Sequence, residues 1–411
     1  MLNTLQLFNS YKLSHIGVIV TLFGASTAIS IVNIGFFITL VGVLIEGNYK
    51  QRILKLSNSP VTLPLILLMC WGFIGAIYSD AESNALNRQL KIFSKISLIL
   101  LLILASESEM VVKRAWTAFI CGACFTLIST YLNIYFQLPW STTQNLGWGK
   151  DHTVFYNYIS QSIVFAFVIG TGLVYALIKD QKTSPDRIFW ILLVFLGLIS
   201  MFFLSTGRVG LVAIAVSVIY VVAGQFKLRG VLLIVFFGAI CLYAIWGEYG
   251  IGARLAAGVR DLQDFQGIQN SQTSWGARLS MYLLSLKFIA QAPLFGHGLG
   301  DYQTLAMAYY ELPSMKAISG YHPHNQYLYL FVELGIIGLG LFLWLHFTIW
   351  QSAQKSAIHW QKITGIFIIV LVVDSMFHAP FWMSGERNFF FPLIGLFAAH
   401  GIHSSKYSIK E

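Results

Sequence analysis

The chain has 411 residues, of which 56% are hydrophobic and only 10% are charged, and its mean hydropathy is +0.70. A soluble domain carries about 25% charged residues, so this composition excludes a soluble enzyme, a disordered protein and a coiled coil and indicates a polytopic membrane protein. The apolar runs, such as 188–204, are continuous, which excludes a membrane β-barrel and favours helices crossing a core about 30 Å thick.

Twelve apolar segments predict twelve membrane-spanning helices, and therefore an all-α, polytopic integral membrane protein. The first two segments are separated only weakly, by polar residues such as Ser26, Ser30 and Asn33. We expect no cleavable signal peptide, because the N-terminus lacks a basic region followed by a short apolar core. The predicted spans are 13–29, 30–46, 61–79, 89–105, 113–137, 154–178, 188–205, 207–224, 229–247, 325–350, 361–379 and 388–403.

The distribution of Lys and Arg predicts the orientation, because these residues accumulate in short cytoplasmic loops. The side that holds both termini carries 15 of the 26 Lys and Arg, and five of the other 11 lie in one long loop that this rule discounts. We therefore expect a multi-pass protein of the bacterial inner membrane with both termini in the cytoplasm. The net charge of +9 reflects this bias and does not indicate a nucleic-acid partner.

This topology divides the chain into three parts. Spans one to nine occupy 1–247, an outer loop occupies 248–323, and the last three spans with a short tail occupy 324–411. The outer loop is the only sizeable part outside the membrane, and its Gly and Pro breaks and aromatic content predict packed helices. In a Gram-negative host it lies in the periplasm.

Two arginines are predicted at the outer boundary of the membrane, where a charge is costly and therefore a functional candidate. Arg208 lies in the turn 205–210 (STGRVG), where one span ends and the next begins with almost no loop. Arg278 precedes an apolar helix of the outer loop, and Trp275 would hold it near the headgroups. A guanidinium forks well onto phosphate oxygens. The alternatives are snorkelling for Arg208 and an ordinary surface position for Arg278.

His324 is predicted at the outer end of the tenth span, in the segment 321–327 (YHPHNQY). A helix N-terminus disfavours protonated imidazole, which suits a general base. The alternative is a metal site formed by His297, His322 and His324, but no acidic ligand accompanies them at a recognisable spacing.

A basic stripe formed by Arg88, Lys91 and Lys95 occupies one helix face at the outer end of the fourth span. Three cations on one face repel each other unless an anion lies there. A lipid phosphate fits this position, and neutralisation by Asp80 and Glu82 is the equal alternative.

Three other polar pairs have weaker interpretations. Asp374 and His378 lie one helical turn apart, which favours a structural hydrogen-bonded pair over a proton relay. Cys121 and Cys124 have redox spacing without a second pair, which favours two buried thiols. Glu386 and Arg387 form either an external salt bridge or an acceptor contact.

Taken together, these motifs resemble those of the O-antigen ligase superfamily. The similarity consists of the Ser-x-Gly-Arg turn ending at Arg208, Arg278 followed by an apolar helix and a Gly-rich turn at 293–300, and His324-Asn325 separated by nine residues from Gly335-x-x-Gly338. It covers roughly 190–340, and the topology of the whole chain agrees with it.

The resemblance implies a GT-C-like glycosyltransferase of lipopolysaccharide biosynthesis that uses neither metal nor cofactor. Its donor would be a glycan linked to undecaprenyl pyrophosphate. By motif, Arg208 and Arg278 would contact the pyrophosphate and His324 would assist the acceptor hydroxyl. We expect substrate contacts also from a second group of residues, which comprises Arg88, Lys91, Lys95, Tyr321, His322 and Asn325.

The acceptor is not fixed by these motifs. We expect an O-antigen ligase that acts on a lipid A–core sugar hydroxyl with inversion at the anomeric carbon. The alternatives are a protein O-oligosaccharyltransferase acting on a pilin and then an O-antigen polymerase. A lipid-linked glycan transporter is the alternative from another class, but it predicts charges near the bilayer midplane rather than at the outer boundary.

Overall fold

A computed structural model describes residues 12–177, 184–244, 259–261, 263–265, 267–269 and 273–405. Every regular element in these ranges is a helix, which confirms the all-α prediction. The helices are α1 (Leu13–Ala25), α2 (Ile29–Glu46), α3 (Tyr49–Ser57), α4 (Thr62–Ile77), α5 (Ser83–Ser94), α6 (Ser97–Ala105), α7 (Glu109–Leu132), α8 (Tyr158–Leu177), α9 (Ser184–Phe203), α10 (Arg208–Ala244), α11 (Ser274–Gln291), α12 (Asp301–Tyr309), α13 (Pro313–Ser319), α14 (Gln326–Ala353), α15 (Ile358–Phe377) and α16 (Ser384–Ser405).

Within the described ranges, seven helices are long and apolar enough to cross a membrane, or eight if α3 and α4 count as one span. The axes of α3 and α4 differ by 92°. This count confirms a polytopic membrane protein. The seven stretches are α2, α7, α8, Asp186–Phe203, Arg208–Lys227, α14 and α15.

The structure agrees with some of the twelve predicted spans and differs from others. The predicted span 89–105 is two helices, α5 and α6, separated at Lys95. The predicted spans 207–224 and 229–247 agree with the two parts of α10, which are separated by a kink at Lys227, where φ is 54°. Residues 245–247 lie outside the described residues. The first predicted span is α1, whose 13 residues reach only about 20 Å at 1.5 Å per residue.

Helix α1 packs so closely against α2 that the backbones of the two helices are nearly in contact. A Cβ atom at Gly17 would lie 2.3 Å from the Thr39 nitrogen, and one at Gly42 would lie 2.2 Å from the Ser14 nitrogen. Small residues allow such close packing in a membrane, where no hydrophobic driving force holds helices together. The first two predicted spans therefore form a tight helical hairpin, and the weak break between them in the sequence is its turn.

Cys121 lies on α7, and the prediction of two buried thiols is wrong for it. Cys121 is exposed and Cys124 is half-buried. The face of α7 that carries Cys121 points away from the helix bundle.

Helix α14 is broken at Gly335, where φ is 66° and ψ is −167°. The break frees three carbonyl groups, and each accepts a hydrogen bond from elsewhere in the chain. The donors are the His297 nitrogen to Val332 (2.9 Å), the Gly298 nitrogen to Glu333 (3.0 Å) and the Trp71 indole to Leu334 (2.9 Å).

The Gly-rich turn after α11 thus inserts into the break of α14. Gly296, Gly298 and Gly300 all have positive φ values, and a Cβ atom at Gly335 would lie 2.2 Å from the Leu294 oxygen. Glycine is the residue that combines this conformation with such close backbone contact. The turn fixes α11 and α12 against the helix that begins next to His324.

The two ends of the bundle differ in their polar groups. At one end, the buried Arg52 pairs at 2.7 Å with both Glu46 and Glu107, and Lys12 also contacts Glu107. The other end gathers the loop before α8 and the segment that precedes α14. This second end contains the predicted functional residues and is called the site end below.

Candidate functional site

His324 lies two residues before α14 begins, and its own backbone is left-handed, with φ 49°. Pro323 precedes it, and the Asn325 side-chain oxygen caps α14 by accepting a hydrogen bond from the Leu328 nitrogen at 3.0 Å. The Asn325 amide nitrogen donates to the Met376 oxygen at 3.1 Å. Because both ends of this amide bind the protein, Asn325 holds His324 between α14 and α15.

Three imidazole rings meet at this point. The His324 ring centre lies 4.2 Å from that of His322 and 5.2 Å from that of His378. The His322 Nδ1 atom accepts a hydrogen bond from the His324 backbone nitrogen at 3.2 Å, while the His324 Nδ1 atom is buried without a hydrogen-bond partner in the described part of the chain.

Burial makes both loop histidines poor proton acceptors in the free protein. Desolvation, together with His378, lowers the pKa of His322 to about 3. Desolvation is also the largest cause for His324, followed by His322, His378 and Arg278, and lowers its pKa to about 2. Both rings are therefore neutral near physiological pH, so His324 has a lone pair available for a hydroxyl proton.

Arg208 and Arg278 line one cavity of about 440 Å³ at the site end. Arg208 is the first residue of α10 and is exposed to this space. The Arg278 guanidinium carbon lies 6.0 Å from the centre of the Trp275 ring, in a cation–π contact. The other lining residues are Tyr158, Ile159, Thr206 and Val209.

Small residues next to Arg208 let its helix approach α8. A Cβ atom at Gly207 would lie 2.4 Å from the Ser162 Cβ, and one at Gly210 would lie 2.5 Å from the Ser162 oxygen. The glycines of the STGRVG turn therefore set the position of Arg208 beside Tyr158.

Helix α11 joins this cavity to the histidines. Arg278 is close enough for its charge to contribute to the lowered pKa of His324. One turn further along α11, the Tyr282 hydroxyl donates to the Met376 oxygen at 2.9 Å and contacts the His324 oxygen at 3.4 Å. The structure therefore brings the three predicted catalytic residues to one region, with Arg278 between Arg208 and His324.

The basic stripe borders a second cavity of about 390 Å³, called the stripe cavity below. The Arg88 guanidinium carbon lies 5.6 Å from the Tyr321 ring centre and 5.9 Å from that of Trp382. In the described residues, no salt bridge joins the stripe to a carboxylate, so the alternative of neutralisation by Asp80 and Glu82 is not realised. The cavity is lined by Arg88, Lys91, Ile92, Lys95, Trp382, Met383, Ser384 and Arg387.

Asp374, His378 and Glu386 form a buried cluster next to His324. Their potential ligand atoms all lie within 4.8 Å of one another, so this set can hold a divalent metal ion. The expected side-chain pair between Asp374 and His378 is not formed, because α15 ends at Phe377 and His378 turns to the Glu386 carboxylate at 3.2 Å. Both Asp374 side-chain oxygens lack a hydrogen-bond partner among the described residues.

Two alternatives from the sequence are wrong in the structure. His297 does not join the other histidines, because its ring nitrogen bonds the Phe288 oxygen at 2.9 Å. Glu386 and Arg387 do not form an external salt bridge, because both are buried and an Arg387 guanidinium nitrogen donates to the Phe381 and Trp382 oxygens at 2.9 Å.

Sequence reasoning missed Trp382 and Tyr282. Trp382 packs its ring 4.4 Å from His322 and thereby joins the stripe cavity to the histidines. An aromatic residue in the short loop 378–383, shortly before Arg387, was the available signal. Tyr282 was signalled only by its position one turn after Arg278.

Residues 192–343, which include Arg208, Arg278 and His324, match the family model described as O-antigen ligase. This segment is a domain of the O-antigen ligase superfamily. The finding confirms the predicted superfamily and agrees with the range of roughly 190–340 over which the sequence resembles it. The basic stripe and Arg387 lie outside the matched O-antigen ligase segment.

One curated relative adds a short match. An uncharacterised protein of Haemophilus influenzae is 32% identical over 93 residues, which are 22% of this chain and 23% of that protein. The alignment thus spans less than a quarter of that relative's length.

Proposed function

We propose that this protein transfers a glycan from undecaprenyl pyrophosphate to a sugar hydroxyl of lipid A–core at the periplasmic face of the inner membrane. One observation carries the proposal: Arg208 and Arg278 line one cavity, and Arg278 is close enough to His324 for its charge to help keep this half-buried imidazole neutral. The O-antigen ligase domain supports the general class, a ligase or polymerase acting on lipid-linked glycans.

The proposed reaction is a displacement at the anomeric carbon. The acceptor oxygen forms a bond to that carbon, the bond to the diphosphate oxygen breaks, and the acceptor proton passes to His324. The departing diphosphate gains negative charge, which Arg208 and Arg278 stabilise as fixed cations. Direct displacement inverts the anomeric configuration, so a product of retained configuration would contradict this mechanism.

The donor itself prepares the base in this proposal. A pKa of about 2 makes His324 a weak proton acceptor in the free protein. A bound diphosphate beside Arg278 screens the guanidinium charge and adds negative charge, and both effects raise the pKa of a nearby imidazole. His324 therefore becomes a competent base only when the donor is bound. In the free protein it takes up few protons.

The remaining predicted residues take supporting positions. We assign Arg88, Lys91 and Lys95 to a phosphate of the substrates, and Tyr321 holds Arg88 beside them. His322 packs against His324 and orients it. Asn325 positions His324 through its cap on α14.

Reconstitution with purified lipid-linked glycan and lipid A–core tests the proposal. We expect Arg208→Gln and Arg278→Gln to lower the transfer rate about 10²–10³-fold, and His324→Asn to lower it about 10²–10⁴-fold. Asn tolerates the left-handed backbone at position 324. The matched control is Lys150→Gln, an exposed cation in the loop before α8 that lines neither cavity.

Two further arms separate the alternatives. Transfer to pilin or to a growing glycan instead of lipid A–core would reassign the acceptor, and donor movement across the membrane without transfer would indicate a transporter. EDTA should leave transfer unchanged. Inhibition by EDTA together with loss of activity in Asp374→Asn would show that the buried cluster holds a required metal ion.

A further inference from the structure

The stripe cavity concentrates positive charge, and in the described parts of the chain no carboxylate forms a salt bridge with its cations. Its lining contains four cationic side chains and no carboxylate. Arg88 and Lys91 are exposed, Lys95 is half-buried and Arg387 is buried. Like charges in one cavity repel each other more strongly when water is partly excluded, and an anion removes that repulsion.

Arg387 is the most informative of the four cations. Only 6% of its surface is exposed, and one of its terminal guanidinium nitrogens donates to two backbone oxygens. Its Nε atom is buried and has no hydrogen-bond partner in the described ranges. The neighbouring Glu386 carboxylate is close enough to attract the Arg387 charge, but it makes its hydrogen bond with His378 at 3.2 Å and does not line the cavity. A buried cation with an unused donor, beside three other cations, indicates a site for a multivalent oxyanion.

The stripe cavity and the Arg208–Arg278 cavity are connected to His324 through different residues. Arg278 acts on His324 from α11, whereas the stripe cavity connects through Trp382, whose ring contacts His322, which in turn contacts His324. The two cavities have no lining residue in common. A transfer between two substrates needs two binding spaces that both lie close to the reacting atoms.

We propose that the stripe cavity binds a phosphate group of the acceptor glycolipid and thereby selects phosphorylated acceptors. This inference rests on the proposed function, which places the donor diphosphate in the Arg208–Arg278 cavity. Ile92, Met383 and the Trp382 ring line the same space and suit the apolar part of an amphiphile. The cations thus hold the acceptor while its hydroxyl lies at His324.

The test measures binding rather than transfer alone. Protein in phosphatidylcholine nanodiscs is titrated with lipid A–core glycolipid that lacks O-antigen, before and after removal of its phosphates. We expect dephosphorylation to weaken binding about tenfold. The double variant Arg88→Gln/Lys91→Gln should weaken binding of the phosphorylated form to a similar extent and leave binding of the dephosphorylated form unchanged. Both residues are exposed, so this variant should fold, and Lys150→Gln is the matched control.

The competing phosphate sources give different results. Competition by phosphatidylglycerol as strong as that by the glycolipid would overturn the inference in favour of bulk anionic lipid. If the Arg88→Gln/Lys91→Gln variant had a raised KM for the donor and an unchanged KM for the acceptor, the cavity would be assigned to the donor diphosphate. Equal binding of both glycolipid forms would also overturn it. Phosphate-dependent binding without any transfer would instead contradict the proposed function and leave the phosphate site supported.

Discussion

His324 combines a chemical role with an unusual backbone. A residue other than glycine with φ near 50° costs of order 1 kcal/mol or more, and such residues cluster at functional sites. Here Pro323 on one side and the Asn325 cap on the other fix that conformation. The ring is thereby directed towards His322 and His378 rather than along α14.

The lowered pKa of His324 predicts an unusual pH dependence. The neutral base form persists in the free protein far below the ordinary imidazole value, so kcat/KM should stay flat between about pH 5 and pH 8. The turnover number kcat reports the donor-bound state, in which the diphosphate raises the pKa, so its acid limb should lie at higher pH than that of kcat/KM.

Initial rates measured over this pH range check the prediction. The control is His359→Asn, at the opposite end of the bundle, which should keep both profiles. An acid limb of kcat/KM near the ordinary imidazole pKa would show that His324 is solvated in the free protein.

At the scale of elements, the broken helix α14 organises the site end. Its free carbonyl groups accept hydrogen bonds from the Gly-rich turn, and the Ile336 nitrogen donates to the Pro293 oxygen at 3.0 Å. The two glycine motifs noted in the sequence are therefore two halves of one contact. This contact couples the position of α11, and hence of Arg278, to the start of α14 at His324.

Gly335→Ala should disrupt this contact. The added Cβ atom would lie 2.2 Å from the Leu294 oxygen, at a positive φ that side chains disfavour. We expect a loss of stability of about 2–4 kcal/mol from strain and overpacking, with a larger loss of transfer rate as Arg278 moves relative to His324.

Thermal unfolding of the purified protein measures the stability change. Gly340→Ala is the control on the same helix, because a Cβ atom there meets nothing within 4 Å. It should be neutral or slightly stabilising, since alanine is the better helix former. Equal melting temperatures for the two variants would contradict the role assigned to Gly335.

Hydropathy predicted that the helices exist better than it predicted where they end. Long apolar runs such as those of α8 and α14 can only be helices in a membrane. Hydropathy windows did not reveal that α5 ends at Ser94 or that α15 ends one residue before His378. These ends depend on tertiary contacts, such as the pairing of His378 with Glu386, and local sequence does not contain them.

At the scale of the whole molecule, the site is assembled from segments far apart in the chain. Arg88, Arg208, Arg278 and His324 reach the site end from four separate elements. The sequence identified the arginines as costly charges near a membrane boundary and His324 as a candidate base at the start of a span. It did not predict that Arg278 shares a cavity with Arg208 or that Arg88 contacts Trp382, because no sequence spacing specifies such contacts.

The orientation of the molecule in the membrane stays a prediction from charge counts. Arg52 and its acidic partners define one end of the bundle, and the histidine cluster defines the other. The excess of Lys and Arg places the Arg52 end in the cytoplasm, and the proposed reaction requires the opposite end to face the periplasm, where the acceptor would be reached.

Cysteine labelling in cells tests this orientation with a matched pair of lysines. Lys150 is exposed at the site end and Lys50 is exposed at the start of α3, at the other end. The native cysteines are first replaced, because Cys70 and Cys121 are exposed. With the outer membrane permeabilised, a membrane-impermeant maleimide should label Lys150→Cys at once and Lys50→Cys only after the inner membrane is broken. A cytoplasmic marker protein verifies that the cells are intact. The reverse pattern would place Arg208, Arg278 and His324 in the cytoplasm, away from the periplasmic acceptor, and would therefore contradict the orientation and the proposed function together.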